Sequence, residues 1–255
     1  MLYDAMFKRK AIRKYTKESL DSEILKELET YISNLDTLFP DIKTELKIIN
    51  REDAKKSSVK SPHYIAAFSE EKEGYLINIG FMLEQLDLFL SSKNIGACWV
   101  GMGNPSKEIK EKSNLKFVIL LAFGNTKEVV HREDLSEFNR KTIEEVSNLD
   151  NELAQTVRLA PSAMNTQPWY YFQKYNEIDI YIARNSVIKN LVMGKFNRID
   201  MGISMCFLWV LMKNNNCKLS FKIYDDRFVE NYEYMITAVI NENFKIGDDE
   251  NVGTQ

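Results

Sequence analysis

Two apolar stretches decide what this chain can become. Gly74 to Ser92 carries Leu76, Ile79, Leu83, Leu86 and Leu90 around most of a helical circumference, and Arg198 to Lys213 encloses the nearly uncharged run Met201 to Met212. A helix that is apolar all round must be packed on several sides, so both are predicted as buried central helices. The run from Met201 to Met212 is well short of the ~20 residues that a membrane span needs. Laid over each other at an offset of 122 positions, Ile77-Asn78-Ile79-Gly80 faces Ile199-Asp200-Met201-Gly202, and Leu86 faces Leu208. A second echo sets Arg9-Lys10-Ala11-Ile12 against Arg140-Lys141-Thr142-Ile143 at an offset of 131. Short echoes are weak singly, but the order of elements repeats with them, which supports an internal duplication.

The elements around the two helices read as follows. Leu20, Ile24, Leu25, Leu28 and Ile32 recur at helical spacing behind Ser19 or Asp21, either of which can accept the first free backbone N–H groups. Glu45 to Asn50 and Ile65 to Phe68 read as strands separated by a Lys-rich loop, and Phe117 to Phe123 reads as a strand buried on both faces. The second half offers a helical signal from Ile143 to Leu159, a proline-containing loop, and strands at Asp179 to Ala183, near Leu219 to Tyr224 and at Tyr234 to Ile240. Two units follow, 1–133 and 134–245, with a polar tail at 246–255.

Charge and cysteine usage narrow the function classes. Thirty-four Lys and Arg stand against 37 Asp and Glu, a net charge of -3, so no global attraction to phosphate backbones or anionic membranes is built in. Nucleic acid and membrane are therefore not expected partners. Cys98, Cys206 and Cys217 share no C-x-x-C spacing, and Met1 to Tyr15 has no apolar signal core, so free thiols in a reducing, cytoplasmic compartment are expected. His63 and His131 have no second ligand at metal-binding spacing and are expected in solvent-facing loops. No G-x-S-x-G is present, and the apolar surroundings of Cys98 and Cys206 argue against Cys–His catalysis. Gly101-Met102-Gly103-Asn104-Pro105 lacks the third glycine of a dinucleotide fingerprint.

Two segments are left over from the core. Lys8, Arg9, Lys10, Arg13 and Lys14 put five cations within seven residues, which repel unless an anion or an acidic surface lies nearby; Arg9 and Arg13 would share one face of a helix. A phosphate would answer that requirement, and a solvated basic terminus is the plain alternative. Ala160-Pro161-Ser162-Ala163-Met164-Asn165-Thr166-Gln167-Pro168-Trp169 is a loop fixed by two prolines, with neutral donors and acceptors and a large apolar plate. It suits a flat, polar-edged heterocycle, or else it is only a rigid helix-to-strand connection.

Together these segments resemble the flavin-dependent nitroreductase family. The Ala-Pro-Ser-Ala-x-Asn-x-Gln-Pro-Trp loop looks like that family's hallmark, and Arg9 to Tyr15 resembles its N-terminal Arg-Arg-Ser-Ile-Arg-x-Phe, with Ala11 at the serine position. Cys98-Trp99-Val100-Gly101 after Asn94-Ile95-Gly96 is similar to the family's turn beneath the flavin, and Arg140-Lys141 falls where an arginine usually reaches the phosphate. The order departs from the family pattern. The Pro-Ser loop stands about 150 residues beyond the basic terminus, its usual place holds Leu35 to Asp41 without such a motif, and the second half lacks a clear Trp-x-Gly turn.

The resemblance thus implies an α+β, three-layer α-β-α fold, duplicated so that one chain imitates a family dimer, a monomer with internal pseudo-two-fold symmetry. It implies one noncovalent FMN, gripped by Arg9, Lys10, Ala11, Arg13, Trp99, Val100, Gly101, Arg140, Pro161, Ser162, Ala163, Asn165 and Gln167. The implied chemistry is ping-pong hydride transfer from NAD(P)H through flavin N5 to a small acceptor such as a nitroaromatic or quinone, with no side-chain acid or base demanded and no metal. The competing readings are an FMN-binding or storage protein without fast turnover, and a degenerate member acting as an interaction module.

Overall fold

The computed structural model describes residues 1–149, 151–184 and 186–241, with backbone alone at 151 and 187–190; the polar tail expected at 246–255 lies outside the described residues. The chain runs α1 (Leu2–Met6), α2 (Ser22–Ile32), β1 (Thr44–Asn50), β2 (Ala54–Lys55), β3 (His63–Ser69), α3 (Tyr75–Ser92), β4 (Gly96–Val100), β5 (Asn104–Pro105), α4 (Lys107–Glu111) and β6 (Lys116–Gly124). It continues through α5 (Ile143–Val146), α6 (Asn151–Arg158), β7 (Trp169–Lys174), β8 (Glu177–Ala183), α7 (Val187–Asn214), β9 (Lys218–Lys222) and β10 (Tyr232–Asn241). No helix among the described residues is long and apolar enough to cross a membrane.

Two four-stranded antiparallel sheets carry the architecture, ordered β1-β3-β6-β4 and β7-β8-β10-β9. In each, two strands precede a long helix and two follow it, and the last strand inserts beside the second. The same strand order therefore occurs twice in the chain. Helix α3 packs on the first sheet, α7 packs on the second, and the helices pack on each other. Where they cross, a Cβ on Gly80 would lie 2.0 Å from the Ile199 carbonyl oxygen, and one on Gly202 would lie 1.9 Å from the Ile77 carbonyl oxygen. Only glycine permits backbones this close, and the two contacts mirror each other.

Burial follows the sequence pattern. In β3, Ile65 and Ala67 join the main core against α3, while Tyr64, Ala66 and Phe68 join a second cluster on the opposite face with Leu120, Ala122 and Val100. Asp21 caps α2 by accepting a hydrogen bond from the Glu23 N–H at 2.8 Å, and Leu28 buries its apolar stripe. The three-layer expectation is met in part. Ile109 of α4 covers the outer face of the first sheet, but among the described residues that of the second carries tyrosines such as Tyr181 and Tyr234, 5.7 Å apart between ring centroids, where the expectation puts a helix.

Two expected helices differ in extent. The signal from Ile143 to Leu159 is split between α5 and α6, because Ser147 and Asn148 pair with β7: Ser147 bridges Tyr171, and the Asn148 N–H donates to the Tyr171 carbonyl at 3.1 Å. Helix α7 begins eleven residues before Arg198.

Candidate functional site

The basic terminus is extended where it reaches the core. Arg9 bridges His131, Ala11 bridges Ala97, and the Ile12 N–H donates to the Ala97 carbonyl at 2.9 Å. Side chains on extended backbone alternate, so Arg9, Ala11 and Arg13 face one way and Ile12 the other, packed on Gly96, where a Cβ would lie 2.9 Å from it. Arg9 and Arg13 do share a face, but by a period of two instead of a helical turn. Lys10 is turned away from that face by the same alternation.

Arg9 does not wait for an external anion. Its Nη2 lies 3.1 Å from Oδ2 of Asp87 on α3, with both side chains 2% exposed. Trp99 of β4 donates its indole N–H to the same oxygen at 3.1 Å. One turn before Asp87, Glu84 is fully buried and neither of its oxygens has a hydrogen-bond partner among the described residues. Burial first, and the Asp87 charge next, push the Glu84 carboxyl well above the carboxylate range. Further positive charge gathers beside this group. Arg132 donates to the Arg9 carbonyl and lies 4.0 Å over the Phe138 ring. Burial, then Arg9, Arg132 and Arg158, push the Arg140 guanidinium down to about 10.

The proline-flanked loop is tightly cross-braced. Met164, Asn165 and Gln167 all have positive φ, at 52°, 57° and 45°, a conformation that costs a non-glycine residue roughly 1–2 kcal/mol. What holds them is a lattice of hydrogen bonds. The Gln167 N–H donates to Ser162 Oγ at 2.9 Å, Gln167 Oε1 accepts from the Lys141 N–H at 2.9 Å, and Arg140 Nη1 donates to Asn165 Oδ1 at 2.9 Å. Asp200 of α7, 3% exposed, accepts the Ala163 N–H with both carboxylate oxygens at 3.1 Å. Burial raises its carboxyl to about 8, opposed by that N–H.

Between the extended terminus and this loop lies a cavity of about 400 Å³, within the roughly 300–1,000 Å³ of small-molecule sites. Of the residues expected in the site, Arg9, Ala11, Arg13, Trp99, Gly101, Pro161, Ser162 and Ala163 line it. Lys10, Val100, Arg140, Asn165 and Gln167 are not on its wall. Val100 belongs to the core on the other face of the sheet, and Arg140, Asn165 and Gln167 spend their polar groups bracing the loop. Helix α7 supplies a wall that the sequence reading did not assign, with Phe196, Asp200 and Ile203. The Phe196 ring presses on Gly101, where a Cβ would lie 2.8 Å from it. An aspartate between Ile199 and Met201 in an apolar helix was the available signal for Asp200.

Other expectations resolve around the cavity. Cys98, Cys206 and Cys217 are free and buried. His63 is not in a solvent-facing loop: it is buried in β3, where Nε2 accepts the Leu20 N–H at 3.1 Å. No cluster suited to a metal ion occurs among the described residues.

Comparison with known proteins places this arrangement among relatives. A family model described as "Putative TM nitroreductase" matches residues 1–212. A crystal structure of a putative nitroreductase from Thermotoga maritima is similar at a TM-score of 0.65 and 17% identity, covering 94% of each chain. An FMN-dependent nitroreductase from Clostridium difficile gives 0.44 and 15%, covering 58% of this chain and 98% of that one. A putative nitroreductase in complex with FMN from Desulfovibrio desulfuricans gives 0.39 and 16%, covering 53% and 93%. No curated protein matches the chain.

Proposed function

The chain belongs to this nitroreductase family, and on that premise we propose that it is an FMN-dependent oxidoreductase whose flavin occupies the cavity between Arg9 to Arg13, β4 and the Pro161–Ala163 loop. The observation that carries the reading is the convergence of segments about 150 residues apart on one apolar-walled cavity. The residues fit the group. Trp99, Phe196 and Ile203 offer flat and apolar walls for a tricyclic ring, and Arg9 Nε is a buried donor on the cavity wall without a partner among the described residues. Arg13, exposed at the rim, would take the phosphate, supported by the field of Arg132 and Arg140.

Bound FMN would supply reversible two-electron chemistry, taking a hydride from NAD(P)H and giving electrons to a small acceptor such as a nitroaromatic or quinone. The chain's own residues orient and exclude water. Asp200 fixes the height of the loop over the cavity through the Ala163 N–H, and Arg140 and Lys141 brace that loop from behind. Phe196 closes the floor at Gly101. Neither a nucleophile nor a metal is asked of the protein.

The repeated strand order and the mirrored glycine contacts support reading the chain as an internal duplication, in which half one keeps the cationic terminus and half two keeps the loop that a second subunit would otherwise donate. That reading gives one flavin per chain in a monomer. Protein purified without added cofactor should be yellow and should release FMN on denaturation. Anaerobic NADH or NADPH should bleach it, and menadione should restore the colour. Colourless protein that takes up no FMN would remove the proposal.

A further inference from the structure

The cavity is backed by more acid than one arginine can neutralise. Glu84 and Asp87 stand one turn apart on the same face of α3, both buried, and among the described residues the one ion pair either makes is that of Asp87 with Arg9. Asp87 has the Arg9 guanidinium and the Trp99 N–H; among the described residues Glu84 completes no hydrogen bond, and Arg9 and Trp99 beside it offset its burial only in part. An isolated buried carboxylate is costly to keep ionised, and here a second negative charge stands beside it. The groups facing the pair from neighbouring elements are Arg9 and Tyr15 from the terminus, Cys98 and Trp99 from β4, Cys206 from α7, and Arg140. Of these, Cys98 and Cys206 are thiols that burial keeps protonated, so they add no charge.

Resting on the flavin reading for its consequence though not for its chemistry, we infer that Glu84 and Asp87 form a proton-holding pair that sets the charge of the cavity wall through Arg9 and Trp99. With one proton on the pair, Asp87 and Arg9 cancel and the Arg9–Trp99 part of the wall is neutral. When the proton leaves, the wall gains one negative charge directly behind residues that line the cavity. An anionic ligand is then repelled. Glu84 and Asp87 touch nothing in the cavity; they act through the two side chains that do, which makes them positioning residues.

Difference infrared spectroscopy of the protein without added FMN tests the pair by itself. At pH 7 the wild type should show a carboxylic-acid C=O band that Glu84→Gln removes and that persists in the surface variant Glu108→Gln. Where Glu84→Gln fails to fold, carboxyl NMR of the wild type labelled with ¹³C-glutamate should show one resonance that stays in its protonated position through neutral pH. For loaded protein carrying Asp200→Asn, which removes the other titrating carboxyl on the wall, the dissociation constant for FMN should rise about tenfold toward alkaline pH and stay flat once Glu84→Gln is added. A spectrum unchanged by Glu84→Gln, or a labelled protein whose glutamates all titrate as ordinary carboxylates, overturns the inference whatever the sample's colour. A protein that shows the band but takes no FMN keeps the pair and removes the flavin reading.

Discussion

The two central helices hold their loops in the same way and to opposite effect. In the first half, Asn78 Oδ1 on α3 accepts the N–H groups of Leu38 and Phe39, at 2.9 and 3.2 Å. In the second, Asp200, 122 positions on, accepts the Ala163 N–H. The device is shared; what hangs from it is not. Leu38 is buried and Phe39 packs into the core at Gly74, where a Cβ would lie 2.7 Å from the ring. In the second half the residue held is an alanine, and Met164 beside it is 87% exposed. One loop is filled by its own side chains, whereas the other leaves a cavity. Whether a loop leaves room for a ligand depends here on which side chains are withheld from the core.

The strongest way to break the comparison is to attack what the halves share. Gly202→Ala would drive a methyl to 1.9 Å from the Ile77 carbonyl and 2.6 Å from the Phe81 nitrogen, and Gly80→Ala would do the same against Ile199. Backbone cannot yield as a side-chain tip can, so each should cost more than about 4 kcal/mol in urea denaturation, and similarly. A variant within about 1 kcal/mol of wild type would mean that the helices do not cross this closely.

A second change converts the open half toward the closed one. Ala163→Phe puts a ring on the residue that Asp200 holds, as Phe39 is one of the two that Asn78 holds, and it should lower FMN affinity at least a hundredfold, about 2.7 kcal/mol. The urea midpoint should move little. Retained colour would separate the cavity from the cofactor.

The smallest expected effect sharpens the difference between Asn78 and Asp200. The Asp200 carboxyl is raised by burial from 3.8 to about 8. Between those values the unfolded chain has lost a proton that the folded chain keeps, so folding stability falls as pH rises through that window. Asp200→Asn removes the titration. It should stabilise by about 1–2 kcal/mol at pH 8, well below the ceiling that ~1.36 kcal/mol per unit sets over the whole shift from 3.8 to about 8, and by nothing near pH 4. Equal gains at both pH values in thermal unfolding would show that the Asp200 carboxyl titrates alike in the folded and the unfolded chain.

Much of this was legible in the sequence, for reasons that also mark where legibility stops. Central helices and doubly buried strands are visible because apolar residues have few other uses in such runs. The meeting of the basic terminus with the proline loop came through the family resemblance that the two segments carry, since residue types alone left a solvated terminus and a plain connecting loop equally open. The partner of Arg9 was not: the excess of cations pointed to an anion, and Asp87, 78 residues away inside an apolar helix, is that anion. Helical spacing likewise favoured one helix from Ile143 to Leu159, because periodicity cannot register the pairing of Ser147 and Asn148 with β7. Asn165 and Gln167 look like ligand groups in one dimension and prove to be loop braces in three.

The mirrored crossing at Gly80 and Gly202 also bears on how the molecule is made. A ribosome delivers α3 more than a hundred residues before its mate, and until then the bare groove around Gly80 has nothing to receive it. The first sheet must wait with its helix exposed on one side, at risk of meeting another nascent copy, so folding is completed late and by both halves together.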